Sequence, residues 1–290
     1  MTTIRSITLF LAVALFTGCP PNNENDAATG DAITLDDCET SFGDGVQAFY
    51  STYFSCVTVS VSGTNTLINS DNLPPHVSWY YSDEHGNYID WASQGEGYYL
   101  NPNMISTQNL TISIPNEPTS RGLTINGSLV DGEIGTSNYE YDMSTVGIAL
   151  DGCSLFNPLA GPGDDIEDEK YSFDLYSGHP EMTGNYHYHT TTKGPLEVLE
   201  HKGLIETPVV GSAEIELYGI MCDGTLIMGC TELDGSTPDN SDFDSQNGHV
   251  HDISDGTTVH FTNRYHTHIC TETFTGHRFT PEIQYYEGCN

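Results

Sequence analysis

The chain has 290 residues, of which 41 are acidic and seven basic, for a formal net charge of −34 at pH 7. That balance excludes nucleic acid and anionic lipid headgroups as electrostatic partners, because a phosphate array would be repelled rather than neutralised. The sequence also contains no Gly-rich phosphate loop, no Gly-x-Ser-x-Gly elbow and no His-Glu-x-x-His pair, which removes the commonest nucleotide-binding and serine or zinc hydrolase readings.

The first residues predict export. Met1 to Arg5 is a short basic start, Ile7 to Phe16 is apolar but for Thr8, and Phe16-Thr17-Gly18-Cys19 ends in small residues before a cysteine. The apolar run is too short to span a bilayer as a mature helix. Its ending resembles the lipobox of bacterial lipoproteins, with Phe16 where Leu is usual. The resemblance implies a signal peptide over residues 1–18 and lipidation of Cys19; an ordinary signal peptide cut nearby is the alternative. The expected location is the cell envelope, at the outer membrane or cell surface, with the membrane as a partner through the N-terminal lipid. Residues 19–36 have little to bury and read as a solvated tether.

Residues 37–290 read as one β-rich domain. Val57 to Val61, Leu110 to Ile114, Leu123 to Ile125, Ala213 to Tyr218 and Thr258 to Phe261 largely alternate apolar and polar residues, the pattern of half-buried strands. Helical rhythm is confined to Pro195 to Glu206, with Leu196, Leu199 and Leu204. Export predicts disulfides among Cys38, Cys56, Cys153, Cys222, Cys230, Cys270 and Cys289, with Cys38–Cys56 and Cys270–Cys289 as plausible local pairs. An odd number leaves at least one thiol unpaired within the chain.

Two stretches repeat one pattern. Phe173-Asp174-x-x-x-Gly178-His179 is followed by Tyr186-His187-Tyr188-His189, and Phe243-Asp244-x-x-x-Gly248-His249 by Tyr265-His266-Thr267-His268. Each is preceded by a Gly-Ile-x-x-Asp-Gly lead, Gly147 to Gly152 and Gly219 to Gly224. Residues 146–189 and 218–268 therefore read as an internal duplication within a mainly β fold that has few short helices. The Asp151-Gly152 and Asp223-Gly224 steps predict hairpin turns with positive φ at glycine.

On a strand, alternate side chains share a face, so His187 and His189 project together, as do His266 and His268. Two imidazoles at that spacing can supply two bonds to one ion, and His179 or His249 brought alongside a third. Neutral imidazole suits zinc or copper. Asp174 and Asp244 are candidate ligands, orienting acceptors or, in a catalytic site, bases. His251 stands beside His249 as a possible neighbour of the site, His260 reads as a core histidine, and His85, His201 and His277 as surface residues. Oxygen-rich loops at 164–169 and 239–244 have the ligand density calcium requires without EF-hand spacing.

These blocks resemble the YHYH domain family of exported bacterial proteins. The resemblance extends to Leu73-Pro74-Pro75-His76 and to Asn101-Pro102-Asn103 with Gln108, and it implies that His76 approaches the site. Thr267 departs from the pattern, where a tyrosine is expected. The family implies domain extent and site location rather than a reaction. Three functions remain open: a metal-binding module, with the two histidine trios converging on a pseudo-twofold interface, that sequesters or delivers zinc or copper; a metal-dependent hydrolase or copper oxidase using the same site; and a structural or adhesion domain without metal.

Overall fold

The computed structural model describes residues 27–119, 145–156, 161, 166–244 and 247–270. The signal peptide, Cys19, the first part of the tether, the strand expected at 123–125, Asp164, Asp165, His277 and Cys289 lie outside them. The described residues form two sheets and short helices, a mainly β architecture. No helix among them is long and apolar enough to cross a membrane.

The first sheet orders β1 (Ser41–Phe42), β2 (Thr58–Ser62), β3 (Asn65–Ser70) and β4 (Leu110–Pro115) consecutively. Its β3 alternates half-buried and buried residues, as a strand with one covered face must. Between β1 and β2 the helix α1 (Ala48–Tyr53) buries Phe49, Tyr50 and Tyr53.

The second sheet contains the duplication. Its strands are β5 (Thr145–Ala149), β6 (Ser154–Phe156), β7 (Gly178–Pro180), β8 (Tyr186–Tyr188), β9 (Leu217–Met221), β10 (Leu226–Met228), β11 (Gly248–Ser254) and β12 (Val259–His268). Their order is β11-β12-β10-β9-β5-β6-β8-β7, a palindrome of two four-stranded units joined at β5 and β9. Each unit is a hairpin (β5-β6 or β9-β10), a parallel step (β6-β8 or β10-β12) and an antiparallel edge (β8-β7 or β12-β11). Apart from half-buried Thr145 at its start, β5 is apolar and buried like β9 and β10, so both faces of the sheet are covered at its centre. Gly152 and Gly224 close the two hairpins at φ 82° and 89°, the conformation expected of the Asp-Gly steps.

The connector between the units is α2 (Lys193–His201). It begins two residues before the expected start, with Thr192 at the cap position, and ends sooner than the leucine spacing suggests. There, Gly203 N bonds Glu200 O and Leu204 N bonds Leu199 O, turning the chain away. The strand expected over 213–218 starts only at Leu217. Glu216 is drawn inside to accept from Cys230 N at 2.8 Å and Tyr218 Oη at 3.2 Å.

Cys38 bonds Cys56 as the sequence suggests. Cys270 bonds Cys230, not Cys289, because Met228 and His268 are register partners on parallel strands and the chains remain adjacent two residues later. Cys222 is also disulfide-bonded, and Cys153 is a buried free thiol. One apolar core draws residues from both sheets, from Phe49 and Ile68 to Ile148, Ile220 and Tyr265.

Candidate metal centres

His179 on β7 is the register partner of His187 on β8, and His249 on β11 is the partner of His266 on β12. His189 and His268 follow on the same faces, so each unit gathers its own three imidazoles. The two trios do not converge on the pseudo-twofold interface, which corrects that expectation. Five strand spacings separate β8 from β12, roughly 24 Å at 4.8 Å each. The dyad lies between β5 and β9, whereas the histidines sit on the outer strands.

In the first centre His187 Nε2 and His189 Nε2 are 3.0 Å apart. His187 Nδ1 donates to Asn185 O at 2.9 Å. Ser172 Oγ gives its proton to Glu169 O at 2.8 Å, so it accepts from His179 Nδ1 at 2.6 Å. A neutral imidazole has one proton; with it on Nδ1, Nε2 of His179 and His187 is a lone pair. Phe156 stacks on His187 at 3.8 Å and Phe173 meets His179 edge-on at 5.0 Å. Burial, reinforced by neighbouring imidazoles, pushes His179 and His187 well below the ordinary histidine pKa and keeps the rings neutral.

The second centre adds a carboxylate. Glu232 Oε1 lies 3.3 Å from both His249 Nε2 and His268 Nε2, and Oε2 lies 3.3 Å from His266 Nε2. His249 and His268 Nε2 are themselves 3.3 Å apart. A tetrahedral zinc site with bonds of 2.0–2.1 Å has an edge of about 3.4 Å, so these donor atoms stand at ligand spacing. Nδ1 of His266 donates to Arg264 O and that of His268 to Gly229 O, both at 3.0 Å. Their Nε2 atoms are therefore lone pairs too, and buried His266 Nε2 makes no hydrogen bond.

Protons do not fill these centres well. Satisfying every nitrogen would set imidazolium beside imidazolium, with rings 4.4–5.2 Å apart in the second centre. A single divalent cation satisfies all the donors at once.

Glu232 is the residue that sequence reasoning missed. It lies on the β10–β11 connection, and the first unit shows no acidic residue at the same offset from its Asp-Gly turn. The corresponding β6–β7 connection brings Glu169 instead, with Oε1 3.7 Å from His179 Nε2. A second omission was visible in the repeat itself. Ser172 and Asp242 both precede the Phe-Asp pair, and Asp242 Oδ1 accepts from His249 Nδ1 at 2.9 Å, as Ser172 accepts from His179.

Asp174 and Asp244 occupy the other side of the motif. Asp174 accepts from Tyr186 Oη at 2.9 and 3.0 Å and from the Tyr176 and Gly178 amides; Asp244 accepts from Tyr265 Oη at 2.7 Å and Gly248 N at 3.0 Å. Tyrosine and histidine alternate on the strand, so a carboxylate holding the tyrosine faces away from the imidazoles. Each tyrosine crosses the glycine of Gly-His, and a Cβ on Gly178 or Gly248 would collide with that phenol. The Asp, Gly and Tyr of the pattern thus brace the strand that presents the histidines. Neither aspartate is placed to ligate, to orient an imidazole or to act as base at the centres.

His76 also lies on the tyrosine side, which corrects its expected approach to the site. Its Nε2 meets Tyr188 Oη at 2.8 Å and its ring stacks on Tyr176 at 3.5 Å. Tyr188 Oη is in turn 2.8 Å from Asp151 Oδ2. Burial lifts Asp151 and Asp174 each to about 6 and lowers His76 to about 3. His251 does adjoin the second centre: its Nε2 bonds Asp242 Oδ2 at 2.8 Å and its ring stacks on His249 at 4.2 Å.

His85, expected at the surface, is buried and stacks on Tyr81 at 3.9 Å. His260 packs against Phe49 and Tyr53 as a core histidine. In the 239–244 loop Asp239 caps a turn through Ser241 N, Asp242 serves two imidazoles and Asp244 serves Tyr265. Those carboxylates point to separate partners rather than to one calcium ion.

Residues 106–242 match a family model described as YHYH protein. The matched stretch takes in the first centre and Glu232 but stops before His249, His266 and His268. No curated protein and no solved structure matches the chain. On the matched stretch, with its bracing tyrosines and paired histidines, the chain carries a YHYH domain.

Proposed function

We propose that the domain binds two transition-metal ions, zinc or copper, one in each unit. The observation that carries this reading is the convergence of buried Nε2 atoms at 3.0–3.3 Å, with the rings of His179, His187, His249, His266 and His268 each fixed through Nδ1 on the far side. The second centre, three imidazoles and a carboxylate, is a closed four-ligand set of the kind that holds zinc structurally or in store. Export and lipidation at Cys19 would set both ions outside the cytosol, where sequestration or delivery is the fitting role.

A hydrolytic reading is favoured by one feature of the first centre alone. Among the described residues, three imidazoles converge there without a carboxylate at bonding distance, and Glu169 stands 3.7 Å from His179 Nε2. An ion so held would keep a position for water and lower its pKa towards neutrality, with Glu169 beside it to take the proton.

The test is the metal content of the mature protein, exported in soluble form with Cys19→Ser, beside His187→Ala/His189→Ala and His266→Ala/His268→Ala variants. Two ions per chain falling to about one in either variant supports the proposal. Wild type that retains no more zinc or copper than the variants sinks it.

A further inference from the structure

Outside the second centre lies another group of ligand atoms, made of Asp242, His249 and His251. It shares His249 with the inner set, and the sharing is divided across the ring: Nε2 faces Glu232 and His268, and Nδ1 faces Asp242. The side chains of His251 and Asp242 are 45% and 48% exposed, whereas that of His249 is 1% exposed. Asp242 bonds both rings, and His251 stacks on His249. These two side chains therefore stand between His249 and solvent.

We propose that Asp242 and His251 form a surface landing site for the metal ion, from which it reaches the inner centre by way of His249. This rests on the reading of the inner group as a metal centre. A carboxylate and an imidazole supply two ligands to an arriving zinc or copper ion, in a strongly acidic protein that concentrates cations around itself. While the inner position is empty, His249 can carry its proton on Nε2 and offer Nδ1 as a third ligand. When the ion moves inward, Nε2 becomes the ligand and the ring's single proton moves to Nδ1, where Asp242 accepts it. A neutral imidazole has one lone pair to give, so the outer and inner positions are not filled together. Saturation is two ions per chain, not three.

The first unit supplies the comparison. Ser172 takes the place of Asp242, and Glu181, two residues after His179, takes the place of His251. Glu181 turns to the backbone of Thr183 at 2.9 Å. Among the described residues, the first centre has no carboxylate–imidazole pair at its surface.

The experiment is stopped-flow uptake of Co²⁺, followed by its visible absorption, into the soluble full-length protein. His251→Ala is made in a His187→Ala/His189→Ala background, where the second centre alone loads, and Asp242→Asn beside it keeps an acceptor for His249 Nδ1. The expected result is uptake at least tenfold slower in both, with final stoichiometry unchanged. His251→Ala in a His266→Ala/His268→Ala background should leave loading of the first centre unaltered. Equal uptake rates with and without His251 and Asp242, or three ions per chain in otherwise wild-type protein, overturn the landing site while leaving the inner centres standing. Absence of stoichiometric uptake in wild type overturns both.

Discussion

Ile148 pairs with Ile220 across the middle of the eight-stranded sheet, and Gly147 with Met221 and Ala149 with Gly219 flank them symmetrically. The dyad through that pair relates every strand of one unit to one of the other. It also sets the two histidine trios on the same face, because directly paired residues of antiparallel strands share a face. The duplication thus doubles a self-contained centre rather than building one from two halves.

Independence of the centres predicts additive loss. His187→Ala/His189→Ala should remove one ion and His266→Ala/His268→Ala the other, and the four-fold variant both, as counted by elemental analysis. Loss of both ions from either pair would mean a single shared site.

Removing a brace should cost stability without removing metal. Tyr186→Phe deletes the hydroxyl that Asp174 accepts from and leaves a buried carboxylate short of a donor, a penalty of about 1–3 kcal/mol. The denaturation midpoint should fall while metal content stays at two. A parallel loss of one ion would place the tyrosine in the centre instead.

Glu232→Gln removes the negative charge that faces three imidazoles. Metal affinity of the second centre should drop by at least about 10- to 100-fold, the scale seen when even a group that only hydrogen-bonds a ligand is lost. The first centre should titrate unchanged in a chelator competition.

The buried chain Asp151–Tyr188–His76 has a pH signature. His76 Nδ1 faces Val77 O at 3.1 Å, a carbonyl that only accepts, so Nδ1 carries a proton. The single proton of Tyr188 then serves one of its two 2.8 Å contacts, and a second proton is needed for the other. With Asp151 raised to about 6 by burial and His76 lowered to about 3, that proton belongs to Asp151. A raised carboxyl pKa means the folded state binds the extra proton, so this contribution is present at low pH and is lost as pH rises through about 6. Wild type measured against Asp151→Asn should therefore gain roughly 1–2 kcal/mol on going from pH 7.5 to pH 5. A difference that is flat with pH would show Asp151 ionised throughout.

The sequence displayed the repeated elements well because repetition needs no three-dimensional information. The paired Tyr-His-x-His strands, the Gly-His partners, the Asp-Gly hairpins and Cys38–Cys56 all follow from local spacing. What the sequence hid depends on which strands become neighbours. Cys230 meets Cys270 only because β10 and β12 run parallel, and Glu232 reaches the imidazoles on a connection without a counterpart of the same spacing. Asp174 and Asp244 looked like ligands because they recur; they recur because Tyr186 and Tyr265 need an acceptor behind a glycine.

The Cys230–Cys270 bridge joins the chain two residues before Glu232 to the chain two residues after His268. Two donors of the second centre therefore sit at the ends of one covalent staple, while His179, His187 and His189 have no comparable link close by among the described residues. A thiol reductant should loosen the carboxylate from one ion and leave the other untouched. The two units, alike in their imidazole trios, would then differ in when they can be loaded: the first as soon as its sheet forms, the second only after its cysteines have been oxidised.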